Sequence, residues 1–270
     1  LKSISENAFM NCKKLVMVNL ENVEYIGKQA FAETPLIMID LSSCKAIGEY
    51  AFINCKNLLS VTLSENGTVV GEGAFGYCEV LVNVTNLNKA TVIKDYAFAY
   101  TALMNADLSS CEELGSFAFI KENMTSGYFN VTLGEKLNKI GDNPFAMCKL
   151  NKFSKTENVE FNGGVVETKT VYTFDISEKV TIIDGSIYYR VPNGLVLIAY
   201  AGEGNYNVTI DAETVRVGAY AFAGTDVVKV NLPHALKAIG HKAFFDCDNL
   251  RVVVFESVYA PILEEEFDAS

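Results

Sequence analysis

The chain has 270 residues, 50% of them apolar and 20% charged, enough to build a continuous core and too few charges for a disordered polymer. Its 33 acidic and 22 basic side chains leave a net charge of −11, which excludes nucleic acid and anionic membrane as partners, since both are held by clustered Lys and Arg. No apolar run reaches membrane-spanning length and no signal peptide is present; the chain opens at Leu1 inside a repeat and reads as a mature or trimmed fragment.

From the first residues onward a phrase of the form I-G-x-x-A-F-x-x-C/T recurs. A partial copy (Ile4, Ala8-Phe9) is followed by Ile26-Gly27 with Ala30-Phe31, Ile47-Gly48 with Ala51-Phe52, and Val70-Gly71 with Ala74-Phe75. Then come Ile93 with Ala97-Phe98, Leu114-Gly115 with Ala118-Phe119, and Ile140-Gly141 with Pro144-Phe145. These seven phenylalanines are spaced 22, 21, 23, 23, 21 and 26 residues apart. Periods of 20–29 residues with an apolar strand in each unit mark a leucine-rich-repeat solenoid, in which each coil buries its apolar side only against its neighbours.

One coil shows the logic. Ala51-Phe52 is expected to open a short helical or 3₁₀ turn that ends at Cys55, with Phe52 inward. Leu58, Val61 and Leu63 follow in the alternation of a strand with one buried face, Asn66-Gly67 turns the chain, and Val70-Gly71 returns it to the core. Burying each anchor Phe contributes about 1.5–3 kcal/mol. Copies with Cys three residues after the Phe place the next Leu at plus six (Leu15, Leu58, Leu81, Leu250); copies with Thr there place it at plus five (Leu36, Leu103, Val227).

Between about 153 and 215 the rhythm breaks. Phe161-Asn162-Gly163-Gly164, Val171-Tyr172-Thr173-Phe174, Asp184-Gly185-Ser186-Ile187-Tyr188-Tyr189 and Pro192-Asn193-Gly194-Leu195 are β-hairpin signals. The repeats resume with Val217-Gly218 and Ala221-Phe222, then Ile239-Gly240 and Ala243-Phe244, and close on a degenerate copy, Ile262 with Glu266-Phe267. The expected organisation is one solenoid over 1–270, with regular repeats in 1–153, an irregular β-rich island in 154–215, and regular repeats with a degenerate last one in 216–270.

The seven cysteines are absorbed by the repeat. Cys12, Cys55, Cys78, Cys148 and Cys247 stand three residues after an anchor Phe, where other copies hold Thr34, Thr101 and Thr225. Cys44 and Cys111 stand eight residues before one, where others hold Val23, Ala90, Leu137 and Leu236. Such slots suit reduced thiols. Only Cys55 and Cys78 share a slot in adjacent coils, which leaves a bridge there open.

The signature Ala46-Ile47-Gly48-Glu49-Tyr50-Ala51-Phe52-Ile53-Asn54-Cys55-Lys56-Asn57-Leu58-Leu59-Ser60-Val61-Thr62-Leu63 resembles the BspA-like leucine-rich repeats of bacterial surface proteins. The likeness covers 1–153 and 216–255, and the island and tail are similar to segments that interrupt and end such stacks. It implies an α/β repeat solenoid, a right-handed stack with a parallel sheet of short strands and short helical or 3₁₀ turns. It also implies a secreted or cell-surface protein of a bacterium, from a host-associated community, that acts by adhesion or protein binding and supplies no catalytic residue.

Other motifs have structural explanations. Gly71-Glu72-Gly73-Ala74-Phe75-Gly76 matches G-x-G-x-x-G, but its first Gly belongs to the repeat and Phe75 is an anchor, so no dinucleotide is implied. His234 and His241, with Asp246 as the tempting third ligand, are better explained as surface histidines than as a metal site. Glu264-Glu265-Glu266 lacks the aspartate ladder of a calcium loop. The sequons at Asn66, Asn83, Asn123, Asn130 and Asn207 are ordinary turn and strand residues in a bacterial protein. No cofactor and no metal is expected.

The outward face of the repeat strands is the candidate binding surface. Alternation places Asn19, Asp40, Thr62, Asn83, Thr85, Asp107, Thr132, Lys229 and Asn231 there, with Met17, Met38, Val252 and Val254 as apolar patches at the two ends. The favoured function is a non-catalytic extracellular module binding a protein or glycan on host or other cells or in the matrix, without membrane insertion. The alternative is an enzyme or carbohydrate-active accessory protein with its site in the island, drawing on Asp175, Asp184, Glu203, Tyr188 and Tyr189.

Overall fold

The structure is a computed structural model and describes residues 1–122, 129–148, 174–175, 179–184, 186–200, 207–257 and 259–263. It is a solenoid of parallel strands. The longest ladder is built on the Ile-Gly phrase itself, as a seven-stranded parallel sheet of Ser3–Ile4, Tyr25–Ile26, Ala46–Ile47, Thr68–Val70, Ala90–Ile93, Glu113–Leu114 and Lys139–Ile140. The Leu-rich strands form a second side, as Met38–Asp40, Ser60–Thr62 and Asn83–Thr85 in one parallel sheet and Asn105–Leu108 with Asn130–Leu133 in another. In Met38–Asp40 and Ser60–Thr62 the middle residue faces inward, so that only Ile39 and Val61 are buried.

The expected helical turn at each Ala-Phe is a correction. Among the described residues the one helical element is a 3₁₀ turn at Leu87–Lys89, and the Ala-Phe segments are hydrogen-bonded turns. Left-handed backbone two residues before and two after the anchor Phe explains this, as at Tyr50 (φ 55) and Asn54 (φ 58) around Phe52. That alternation turns every second N–H toward the next coil. Tyr50, Phe52 and Asn54 donate to the carbonyls of Glu72, Ala74 and Gly76 at 2.7–2.9 Å. A non-glycine left-handed residue costs roughly 1–2 kcal/mol, and these inter-coil bonds offset it.

The repeat glycine answers a different constraint, the closeness of the coils. A Cβ on Gly48 would stand 2.7 Å from the carbonyl carbon of Gly27, and one on Gly71 2.6 Å from the oxygen of Ile47. Inside the coils Phe9, Phe31, Phe52, Phe75, Phe98, Phe119 and Phe145 form one file, with ring centroids 5.1–5.7 Å apart and planes within 15°. Offset stacking of this kind adds roughly 0.5–1.5 kcal/mol per pair beyond area burial.

The slot after the anchor is a donor site for the Phe carbonyl. Thr34, Thr101 and Thr225 hydroxyls donate to the Phe of their own coil at 2.7–2.9 Å. The Cys55, Cys78, Cys148 and Cys247 thiols reach back to the Phe of the preceding coil at 3.0–3.2 Å. All seven cysteines are free, Cys55 and Cys78 included. Burial pushes the thiols of Cys44 up to about 11 and of Cys111 and Cys148 up to about 12, so they stay protonated donors at neutral pH.

In the island, antiparallel hairpins link Phe174–Asp175, Val180–Ile183, Ser186–Val191 and Gly194–Ala199, with turns at Asp184 and at Pro192-Asn193. The signals at 161–164 and 171–173 lie outside the described residues. Gly194–Ala199 then pairs in parallel with Thr214–Val217, which continues into Ala238–Ile239 and Ile262–Leu263. Tyr200 stacks on Phe222 at 4.9 Å and donates its N–H to Ala221 O, as an anchor Phe does. The coil rhythm has therefore returned by Gly194, inside the stretch read as irregular.

Gly194–Ala199 is buried on both faces and divides the interior. Val196, Ile198 and Ala199 pack into the cluster that holds Phe9 to Phe145, whereas Leu195 and Leu197 pack into a second cluster with Phe222 and Leu232.

Candidate interaction surface

The outward strand face carries the sequence-predicted binding residues. Met38, Asp40, Asn83, Thr85, Asp107, Thr132 and Val252 are exposed there, and Thr62, Lys229, Asn231 and Val254 are half-buried. Met17 and Asn19 are exposed in the equivalent stretch of the first coil, which is not itself a strand. The face is divided among three parallel sheets, the last formed by Asn207–Thr209, Lys229–Leu232 and Val252–Phe255.

Several of these side chains also hold the backbone. Asn19, Asp40 and Asp107 accept the N–H two residues on, from Glu21, Ser42 and Ser109, at 2.9–3.1 Å, and so close the turn that ends each strand. Amide rungs run between coils, from Asn130 to Asn105 and from Asn231 to Thr209, both at 2.9 Å.

A neighbouring column went unread in the sequence. Val16, Ile37, Leu59 and Val82, each the residue before the outward strand position, are 45–54% exposed. The backbone N–H of each of the last three donates to the carbonyl of the one before, so their side chains stand in one stripe. Period-2 alternation assigns these positions inward; the chain instead bends at this corner and turns two consecutive residues out. The signal was their shared offset from the anchor Phe, seven residues in coils with Cys and six in the coil with Thr.

Ion pairs cross from coil to coil on the other side. Glu24 lies between Lys2 and Lys45, and hydrogen bonds from those two ammonium groups hold its carboxyl down at about 2. Glu113 lies likewise between Lys94 (2.9 Å) and Lys139 (2.7 Å) and is held low by hydrogen bonds from Lys139 and Lys94. Lys121 was missed altogether. It is buried and donates to Thr101 O (2.6 Å) and Leu103 O (2.7 Å), and burial lowers its pKa.

Tyr188 and Tyr189 of the island do not converge. Tyr188 is buried in the second cluster, with burial raising its pKa, and its hydroxyl accepts the Asp211 N–H at 3.4 Å. Tyr189 packs against the first cluster, on the opposite face of the same strand. Asp184 is exposed in a left-handed turn, Asp175 ends a two-residue strand, and Glu203 lies outside the described residues. His234 is exposed with Nδ1 3.3 Å from Glu256 O, whereas His241 sits edge-on to Tyr220 at 6.0 Å. No group of three potential metal ligands occurs among the described residues. Gly73 of the G-x-G-x-x-G match is the left-handed residue before Phe75. Glu264 to Glu266 lie outside the described residues. No helix among the described residues is long and apolar enough to cross a membrane.

The chain belongs to the BspA-type leucine-rich-repeat family, whose six-copy model matches residues 1–105, 45–164, 91–195 and 198–270. No curated protein matches it in sequence. Among solved structures it is similar to a leucine-rich-repeat protein from Eubacterium ventriosum, at 19% identity and a TM-score of 0.61, over 83% of this chain and 61% of that one. It thus spans about three fifths of that relative's length. A leucine-rich-repeat protein from Bacteroides ovatus (21% identity, TM-score 0.49) aligns over 98% of this chain and 76% of the other. The pneumococcal vaccine antigen PcpA (18%, TM-score 0.46) aligns over 95% and 49%.

Proposed function

We propose that this chain is a non-catalytic interaction module of a bacterial surface or secreted protein, acting as one stack over residues 1–270. It binds a protein or glycan on other cells or in their matrix across the outward strand face. The observation that carries the reading is the placement of outward side chains in register from coil to coil, which offers a partner many small contacts along a line. Leucine-rich-repeat stacks use extended surfaces in this way. The absence of convergence between Tyr188 and Tyr189 favours this over an enzyme in the island.

The test presents the immobilised chain with matrix proteins, host-cell extracts and a glycan array. Binding that falls at least about ten-fold in a Thr85→Lys, Thr132→Lys variant with an unchanged melting profile is the expected result. Retention of nothing by the wild type, together with turnover in a hydrolase panel, would overturn the reading.

A further inference from the structure

The apolar stripe of Val16, Ile37, Leu59 and Val82 spans the first four coils and stops there. Its next member, Met104, is half-buried, and beyond it Phe129 is turned into the core at 1% exposure. Met17 and Met38 widen it at 78% and 60% exposure. Monomeric proteins seldom leave so continuous an apolar line in water.

A row of charges that pair from coil to coil runs through the turns that lead into this stripe, with Lys14 beside its first member. It reads Lys13, Glu33, Lys56, Glu79, so the sign alternates from coil to coil. The row is closed in two pairs, Lys13 with Glu33 at 3.0 Å and Lys56 with Glu79 at 2.8 Å, and all four side chains remain 43–63% exposed. Alternation over an even number of coils has a geometric consequence. Read from the opposite end, plus-minus-plus-minus becomes minus-plus-minus-plus.

We propose that this face is a self-association surface on which two copies of the chain pack with their coils running in opposite directions about a two-fold axis. In that arrangement coil one faces coil four and coil two faces coil three. Val16 meets Val82, Ile37 meets Leu59, and each lysine of the row meets a glutamate of the other copy. Packed in the same direction, about an axis along the stripe, the row of one copy would lie across the stripe from the row of the other, so only the antiparallel register brings opposite charges together. An isologous contact requires a self-complementary patch of this kind, and opposed charges around an apolar centre fix register more than they add affinity. The inference is independent of the function proposed above.

Sedimentation equilibrium of the whole 270-residue chain, loaded from about 1 to about 100 μM, tests it. A concentration-dependent dimer is expected. Ile37→Asp with Leu59→Asp should weaken it at least about ten-fold, with melting and circular dichroism unchanged because both positions face water. Glu79→Lys should also weaken it. The fourfold inversion K13E/E33K/K56E/E79K, which restores every opposed pair, should bring it back to within about three-fold of the wild type. A monomer at every concentration overturns the proposal and gives the stripe to another occupant. A dimer indifferent to the aspartates also overturns it, as does one that the inversion fails to restore. Should the aspartates unsettle the coils, the two charge arms decide alone.

Discussion

The two halves of the stack use the same coil and differ in how their interiors begin. In the first, seven phenylalanines stand nearly parallel, and each coil lies against a coil of its own kind. In the second, the file starts on Tyr200, tilted 28° to Phe222, and its first wall is the hairpin strand Gly194–Ala199. That strand faces the first interior with Ile198 and the second with Leu197. An antiparallel insert is thus accommodated with one register shift, between Leu195 and Val196, after which its last strand pairs Leu197 with Val217 where an Ile-Gly strand would. A solenoid asks only that each coil match its neighbour.

Charge placed in the wall breaks the comparison most severely. Leu197→Asp buries an unpaired carboxylate against Phe222 and should cost about 4 kcal/mol or more, whereas Ile198→Asp should do the same to the first interior. Hydrogen exchange reads the two separately. Protection should vanish around Val217–Leu236 in the first variant and around Ile93–Ile140 in the second. If either variant unfolds both halves equally, the wall does not separate two interiors. Next in size is the file itself. Phe75→Ala, at a fully buried site between two stacked rings, should lose roughly 3–5 kcal/mol by urea denaturation. Phe9→Ala, partly buried and stacked on one side only, should lose less than half of that. Equal losses would mean that the file adds nothing to burial.

Tyr200→Phe is a smaller and sharper test. Tyr200 was not read as an anchor, although it stands 22 residues before Phe222 and follows Ala199 as Phe follows Ala elsewhere. If it is one, phenylalanine should be accepted within about 1.5 kcal/mol, and Tyr200→Ala should cost at least twice as much. The miss shows what repeat reading can see. Phe31, Phe52 and Phe75 were legible because residue type and spacing recur together, and the thiol slot of Cys55 and Cys78 followed from the same offsets. Tyr200 keeps the spacing and loses the residue type, so the repeat phrase does not include it. The strand character of the Ile-Gly phrase was hidden because two residues are too short for period-2 alternation to register. The left-handed turn at Tyr50 was illegible for another reason, since tyrosine does not ordinarily select that backbone and the next coil's carbonyl holds it there, whereas Asn54 is of a type that favours it. The exposed line through Ile37 and Leu59 was illegible because period-2 alternation places these positions inward, whereas at this corner the chain turns two consecutive residues outward.

The smallest effect concerns the rungs between coils. Glu24 is held at about 2, below its ordinary 4.5, chiefly by hydrogen bonds from Lys2 and Lys45. A carboxylate whose folded pKa is depressed contributes stability that is fully present above the unfolded value and disappears as pH falls toward the folded one. Glu24→Gln should therefore lower the melting temperature slightly at pH 7, and the difference from the wild type should shrink between pH 4.5 and about 2. Because both lysines are exposed and Glu24 is only half-buried, salt should shrink the difference too. The corresponding change in the second half, Glu213→Gln, removes a single looser pair with Arg190 at 3.6 Å and should move the melting temperature less. A Glu213 effect as large as that of Glu24 would mean that a carboxylate shared by two lysines gains nothing from the second, and the regular stack would owe none of its firmness to its doubled rungs.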